Sequence, residues 1–348
     1  MPPQDQRRIA QWLFICSGLV VAMLALGGLT RLTGSGLSMV EWKPITGIIP
    51  PMNLADWQDL FSKYQQSPEF RHINHGMDLN GFKEIFWLEF LHRLLGRLIG
   101  FVFFMPFIYF LVTKKIDRPL AIKLGGMFVL GGLQGVMGWL MVKSGLVANP
   151  HVSAYRLTAH LALAFLVYAL MMWTAFGLYF GQQIPSPRVQ LPKGLQHGSW
   201  GVLSLVSITA MSGGFVAGAK AGFSYNTFPL MGGQWFPEAY WDLQPAWLNI
   251  FENIPAIQWN HRLLATITFG SILAFWFWSR KQNLPRLVGM STHFLLLAAI
   301  LQIALGISTL LLRIPIALAS LHQVGAILVF TLILFIHFHL QLGSKPSI

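Results

Sequence analysis

The chain has 348 residues, of which 54% are hydrophobic and 10% charged, and a formal net charge of +12. So little charged surface cannot coat a water-soluble globule of this length, which excludes a soluble enzyme and points to a polytopic membrane protein. Lys and Arg are scattered over loop ends rather than gathered in a basic run or helix face, so no nucleic-acid partner is expected and the charge reads as a topology signal.

The single Cys16 lies inside the first apolar run, so no disulfide within the chain is expected. That run is too long for a signal-peptide core, and no organelle presequence precedes it. The expectation is a multi-pass protein of the bacterial inner membrane.

A hydrocarbon core of about 30 Å needs roughly 20 apolar residues in a helix. Eight stretches qualify, at about 10–30, 93–113, 124–142, 157–180, 198–219, 262–279, 289–312 and 317–339. Two long connections, 31–91 and 220–260, mix Pro, Gly, Trp and acidic residues and read as folded loops. The terminal segments and short connections on one side hold Lys and Arg residues from Arg7 through Arg188 to Lys345, against only Asp5 and Asp117. The positive-inside rule then puts both termini in the cytoplasm and the long loops, with the outer ends of all eight helices, in the periplasm.

An internal repeat sets the architecture. The second stretch begins EFLHRLLGR and the sixth QWNHRLLAT, and Gln134-x-x-x-Gly138 in the third recurs as Gln302-x-x-x-Gly306 in the seventh, 168 residues on, close to the 169 between His92 and His261. TAHLALAFLVY in the fourth, with His160, matches ASLHQVGAILVF in the eighth, with His322, and GGLTRLTGSGLS at the end of the first matches GGFVAGAKAGFS at the end of the fifth. The expected fold is an all-α polytopic membrane protein of two tandem four-helix bundles, residues 1–190 and 191–348. Each has an even number of spans, so the two share one orientation and are expected to be related by a pseudo-two-fold axis along the membrane normal. Each repeated histidine is expected within about the first two turns of a helix running inward, at a shallow depth on the periplasmic side.

Imidazoles in membrane helices are costly unless paired or ligated and mark function by default. Two histidines on separate helices of a four-helix bundle suit the axial positions of a haem iron, His92 with His160 in one unit and His261 with His322 in the other. Zinc fits less well, because two histidines leave its tetrahedral shell half empty and no cysteine completes it. No C-x-x-C-H is present, so a haem would be held without a covalent link. Arg93 and Arg262 follow two of the histidines and either hold haem propionates as two-pronged partners or anchor helix ends at the interface. Glu89 precedes His92 by three residues where Gln258 precedes His261. A carboxylate beside one site only suggests that this site manages protons; divergence of the repeat, or capping of the helix N-terminus, accounts for it equally well. The other seven histidines have no repeat partner, and Gln134 and Gln302 read as interhelical hydrogen-bond donors. From the histidine layout alone, a membrane electron carrier with two permanent b-type haems stays open; against a third reading, a transporter built of two parallel repeats, no stretch shows a central Gly/Pro break or a charged pair at midplane.

The run GGLTRLTGSGLSMVEW at 27–42, with Pro44, Gly47 and Pro50–Pro51, together with EFLHRLLGR, TAHLALAF, NTFPLMGGQWFP, QWNHRLLA and LHQVGAI, resembles the haem A synthases over nearly the whole chain. That family converts haem O to haem A for terminal cytochrome oxidases. It oxidises the C8 methyl group to a formyl group through two successive hydroxylations, the geminal diol then losing water. The resemblance implies haem b between His261 and His322, and substrate haem O in the N-terminal unit with His92 and His160 near its iron and Glu89 as the acidic residue. The chain is similar to the proteobacterial, mitochondrial-like form; it lacks the loop cysteine pair of some relatives, so its electron donor is unidentified. Implied partners are the bilayer, haem O delivered laterally from the preceding farnesyltransferase, an electron donor and a possible second copy of the chain.

Overall fold

The computed structural model describes residues 1–181 and 192–344, with side chains to 342; Arg188, Lys345 and the expected unit boundary at 190/191 lie outside the described residues. Eight long helices succeed one another: α1 Pro3–Leu32, α2 Leu79–Val112, α3 Arg118–Gly145, α4 Ala154–Phe180, α5 Lys193–Gly218, α6 Ile254–Arg280, α7 Arg286–Leu311 and α8 Ile316–Ser344. The shortest have 26 residues, about 39 Å at the helical rise, which exceeds a hydrocarbon core. All eight are apolar enough to cross a membrane. Large apolar side chains such as Phe101, Val112 and Ile122 stand more than 60% exposed, as lipid-facing positions require. The protein is an all-α polytopic membrane protein, with the eight expected stretches inside the eight helices to within a residue or two.

Side chains stop the fraying that short connections would invite. Asp78, Asp117 and Asn253 each accept from the backbone N–H three residues on, at 2.8, 3.0 and 3.1 Å, and so cap α2, α3 and α6. Pro119 and Pro255 occupy the first helical turn, where no donor is lost.

Two compact units are present, one of Met1–Ser17 with Tyr168–Ile348 and one of Gly18–Val167. In the first, α5 packs on α6, α6 on α7, α7 on α8 and α8 on α5, so α6 and α8 stand diagonally across a four-helix ring. The C-terminal half of α4 joins it through the Tyr168 hydroxyl, 2.7 Å from that of Thr331, and through Phe176 against Phe335. In the second unit α2 and α3 pack side by side, and the loop 31–91 folds onto α2.

That loop corrects the expected start of α2. The helix begins at Leu79, so His92 is its fourteenth residue and not within its first two turns, whereas His160, His261 and His322 are seventh, eighth and seventh in theirs. The added segment is amphipathic: Phe82, Phe86 and Phe90 lie at successive fours on one face and are buried against Trp57, Phe61 and Tyr64, carried by the short helix Leu54–Gln65. Lys83, Glu84 and Glu89 lower its hydropathy, so an apolar window begins too late. The second long loop is held by Asn249, which is fully buried and bonds both the N–H and the C=O of Leu243, and by Asn253, which bonds Ala239 O and Asn249 Oδ1. Its tip is a two-residue turn between Met231 and Gln234 in which Gly232 and Gly233 take φ of 61° and 90°, a conformation that glycine adopts without strain.

Phe82→Ala should destabilise the loop by about 3–5 kcal/mol, the usual result of truncating a buried Phe. Limited trypsin digestion checks this: cleavage after Lys63 and Arg71 should accelerate while cleavage elsewhere keeps its rate.

Candidate functional site

Each repeated histidine stands against a glycine of the helix before it. A Cβ on Gly27 of α1 would lie 3.0 Å from His92 Nε2; on Gly138 of α3, 3.1 Å from His160 Cε1; on Gly213 of α5, 3.2 Å from His261 Cε1; and on Gly306 of α7, 2.8 Å from His322 Cε1. Those distances are shorter than ordinary carbon contacts, so any other residue would push the ring away. The glycines keep the repeat register: Gly138 and Gly306 close the Q-x-x-x-G motifs, and Gly27 and Gly213 open the two GG pairs. The two glutamines of those motifs donate to the carbonyl of the neighbouring histidine, Gln134 to His160 O at 3.0 Å and Gln302 to His322 O at 2.8 Å. The interhelical role expected of them is thus specific: they hold the histidine's own turn.

His92 and His160 lie in one compact unit, and His261 and His322 in the other. Their surroundings differ. His261 Nδ1 is 2.8 Å from Ser212 Oγ, and His322 Nδ1 is 3.2 Å from the carbonyl of Gln302. His160 Nδ1 is buried without a partner: the carbonyl of Gln134 lies nearby but outside hydrogen-bond geometry. No hydrogen bond reaches the His92 ring among the described residues. Among these residues no group of three His, Cys, Asp or Glu side chains forms a metal-ion site. The donor set is two imidazoles on diagonal helices, with Nε2 of His261 and His322 unbonded. That set suits a metal whose other positions are filled by a ligand of its own, as a porphyrin fills those of iron.

Glu89, Gln258, Arg93 and Arg262 do one job in two polarities. Glu89 is 2% exposed and accepts from Ser38 Oγ and the Met39 N–H, each at 2.7 Å, and from Arg93 at 2.5 Å. Arg93 in turn donates to Met39 O and Glu41 O. At the matching place Gln258 donates to Ala221 O and Tyr225 O, and Arg262 donates to Tyr225 O, Thr227 O and Gln258 Oε1. Each pair clamps the segment after the first helix of its half onto the helix bearing the histidine. The N-terminal segment turns an N–H inward and needs an acceptor; the C-terminal one turns carbonyls inward and needs a donor. This is a physical reason for Glu in one half and Gln in the other. Most donors of both arginines go to main-chain carbonyls, though Arg262 Nε stays buried and unpartnered.

The remaining histidines take no part. His337 is fully buried, with Nδ1 on Ser199 Oγ at 2.8 Å and Nε2 on Gln341 at 2.9 Å, and His293 is held by Trp276 and Arg280. Sequence reasoning missed Arg97, which donates to Lys43 O and Pro44 O while keeping Nη1 buried and free beside a cleft also lined by Arg93. It ends EFLHRLLGR and has no basic counterpart in the second half. The four glycines and Ser212 were missed too, although the glycines lie inside the repeated motifs.

The clamp polarity makes a prediction. Glu89→Gln should cost about 1–3 kcal/mol, since one acceptor pair is weakened. Gln258→Glu should cost about 3–5 kcal/mol, since it sets a buried carboxylate against two carbonyl oxygens. Thermal unfolding followed by helical circular dichroism should therefore rank Gln258→Glu below Glu89→Gln.

Comparison with known proteins gives the family. Residues 10–334 match the family described as cytochrome oxidase assembly protein. A heme A synthase of Nitrosospira multiformis is 51% identical over 97% of this chain and 94% of its own length, and one of Nitrosomonas eutropha is 51% identical over 96% and 94%. The Arabidopsis thaliana protein called heme A synthase COX15 is 42% identical over 99% of this chain and 77% of its own. With matched helices from α1 to α8, an imidazole pair in each half and this extent of identity, the chain belongs to the cytochrome oxidase assembly protein family that contains the heme A synthases.

Proposed function

We propose that this protein is a haem A synthase, an oxidoreductase that converts the C8 methyl group of haem O to a formyl group by successive hydroxylations. The observation that carries the reading is two imidazoles in each half, each seated against a glycine, in a chain that is 51% identical to a heme A synthase over 97% of its length. Residues 191–348 would hold haem b through His261 and His322 as ligands to its iron, and residues 1–190 would receive haem O through His92 and His160. Haem b, when bound, supplies one-electron transfer to and from the substrate site.

The chain's own residues do the rest. The glycines let the rings approach, and the two glutamines hold the turns that carry His160 and His322. Arg262 offers Nε, and Arg97 offers Nη1, to propionate carboxylates. Glu89, the carboxylate one turn from His92, is assigned the proton released as the methyl group is oxidised. The outward apolar faces suit lateral entry of a farnesylated substrate from the bilayer, delivered by the farnesyltransferase that precedes this step. The protein lies in the bacterial inner membrane, with both termini cytoplasmic and the haem sites toward the periplasm, as the short basic connections direct. Against a carrier with two permanent haems stands the difference at Nδ1: among the described residues His160 Nδ1 is buried without a partner, whereas His261 Nδ1 and His322 Nδ1 each meet an oxygen.

Purified His261→Ala or His322→Ala protein should lack the low-spin b-type absorbance. Glu89→Gln should keep that absorbance and lose haem A formation by at least about a hundredfold, the lower range of a general acid–base contribution; an active Glu89→Gln enzyme would remove the proton role. Among the glycines, Gly306→Ala should deplete haem b more than Gly213→Ala, because its Cβ meets the ring at 2.8 Å rather than 3.2 Å. Pigment measured per chain tests the order.

A further inference from the structure

The repeat breaks beside one histidine, and the break has a chemical consequence. Ser212 immediately precedes Gly213, which touches His261; at the matching place Leu26 immediately precedes Gly27, which touches His92. Ser212 Oγ donates to the carbonyl of Thr209 at 2.8 Å. A hydroxyl has one proton to give, so the 2.8 Å contact with His261 Nδ1 must run from the ring to the oxygen. His261 therefore carries its proton on Nδ1 and presents the lone pair of Nε2. The carbonyl of Gln302 is an acceptor only and imposes the same tautomer on His322. Leu26 has no polar side-chain atom, and no hydrogen bond among the described residues fixes the proton or the plane of the His92 ring. Its Nε2, not Cε1, is the atom that faces its glycine.

An Nδ1–H donated to oxygen makes an imidazole a stronger donor to metal and locks its plane, and loss of such a partner typically weakens metal binding by 10–100-fold. Resting on the functional reading above, we propose that Ser212 is a positioning residue that makes the C-terminal half a permanent haem site, and that Leu26 in its place leaves the N-terminal half able to release a haem after each turnover. The two halves thus share their ligands and differ in how tightly one ligand is braced.

The test uses the full-length protein purified in nanodiscs. Ser212→Ala should raise the midpoint potential of the low-spin b haem, since a weaker donor favours ferrous iron, and should speed haem transfer to apomyoglobin by about tenfold. Ser212→Thr, which keeps the hydroxyl, should restore both. Leu26→Ser should slow the loss of haem loaded into the N-terminal half. Wild-type potential and transfer rate in Ser212→Ala overturn the proposal, as does an unchanged rate of loss in Leu26→Ser. Failure of the functional reading looks different: low-spin b absorbance would be missing from the wild type or survive in His261→Ala.

Discussion

The arrangement depends on a contact between a ring and a hydrogen atom. Four imidazoles have to turn inward from helices that must also pack, and each does so where the preceding helix offers a glycine. A methyl group at any of these positions would lie 2.8–3.2 Å from the ring. Packing in a membrane rewards small residues because backbones approach closely there. Here the approach serves a second end, seating a polar ring without unfolding the turn that bears it. The glutamines complete the seat by bonding the histidine carbonyl from the neighbouring helix.

Around this common core the halves have separated in two ways. The clamp between the histidine helix and the segment preceding it keeps its arginine and exchanges glutamate for glutamine, following whether N–H or C=O points inward. Hydrogen bonding at Nδ1 is present in the C-terminal half and missing in the N-terminal one. The first difference keeps the clamp in both halves and puts a carboxylate in the N-terminal one alone. On the proposal made above, the second changes how tightly each half would hold a metal, because a braced imidazole is the stronger ligand.

The eight spans were legible because they rest on local composition and length. The start of α2 was not, since the Phe82, Phe86 and Phe90 face is buried by residues some twenty to thirty positions earlier, which no hydropathy window sees. The same holds for Arg93 and Arg262: read beside the histidine, each suggests a propionate partner, yet its principal acceptors are carbonyls 52–54 and 35–37 residues away. Glu89 against Gln258 was visible as a difference, but the backbone direction that selects between them exists only in three dimensions. Ser212 could have been found by asking where the repeat fails rather than where it holds.

Chromatographic identification of the pigment extracted from purified protein, before and after supply of haem O, tests the central claim most directly. The expected result is one haem b per chain that persists throughout, with haem O and then formyl-bearing haem A appearing in exchangeable, substoichiometric amount. Two haem b per chain with no formyl haem after haem O is supplied, or a colourless protein that still makes haem A, contradicts it.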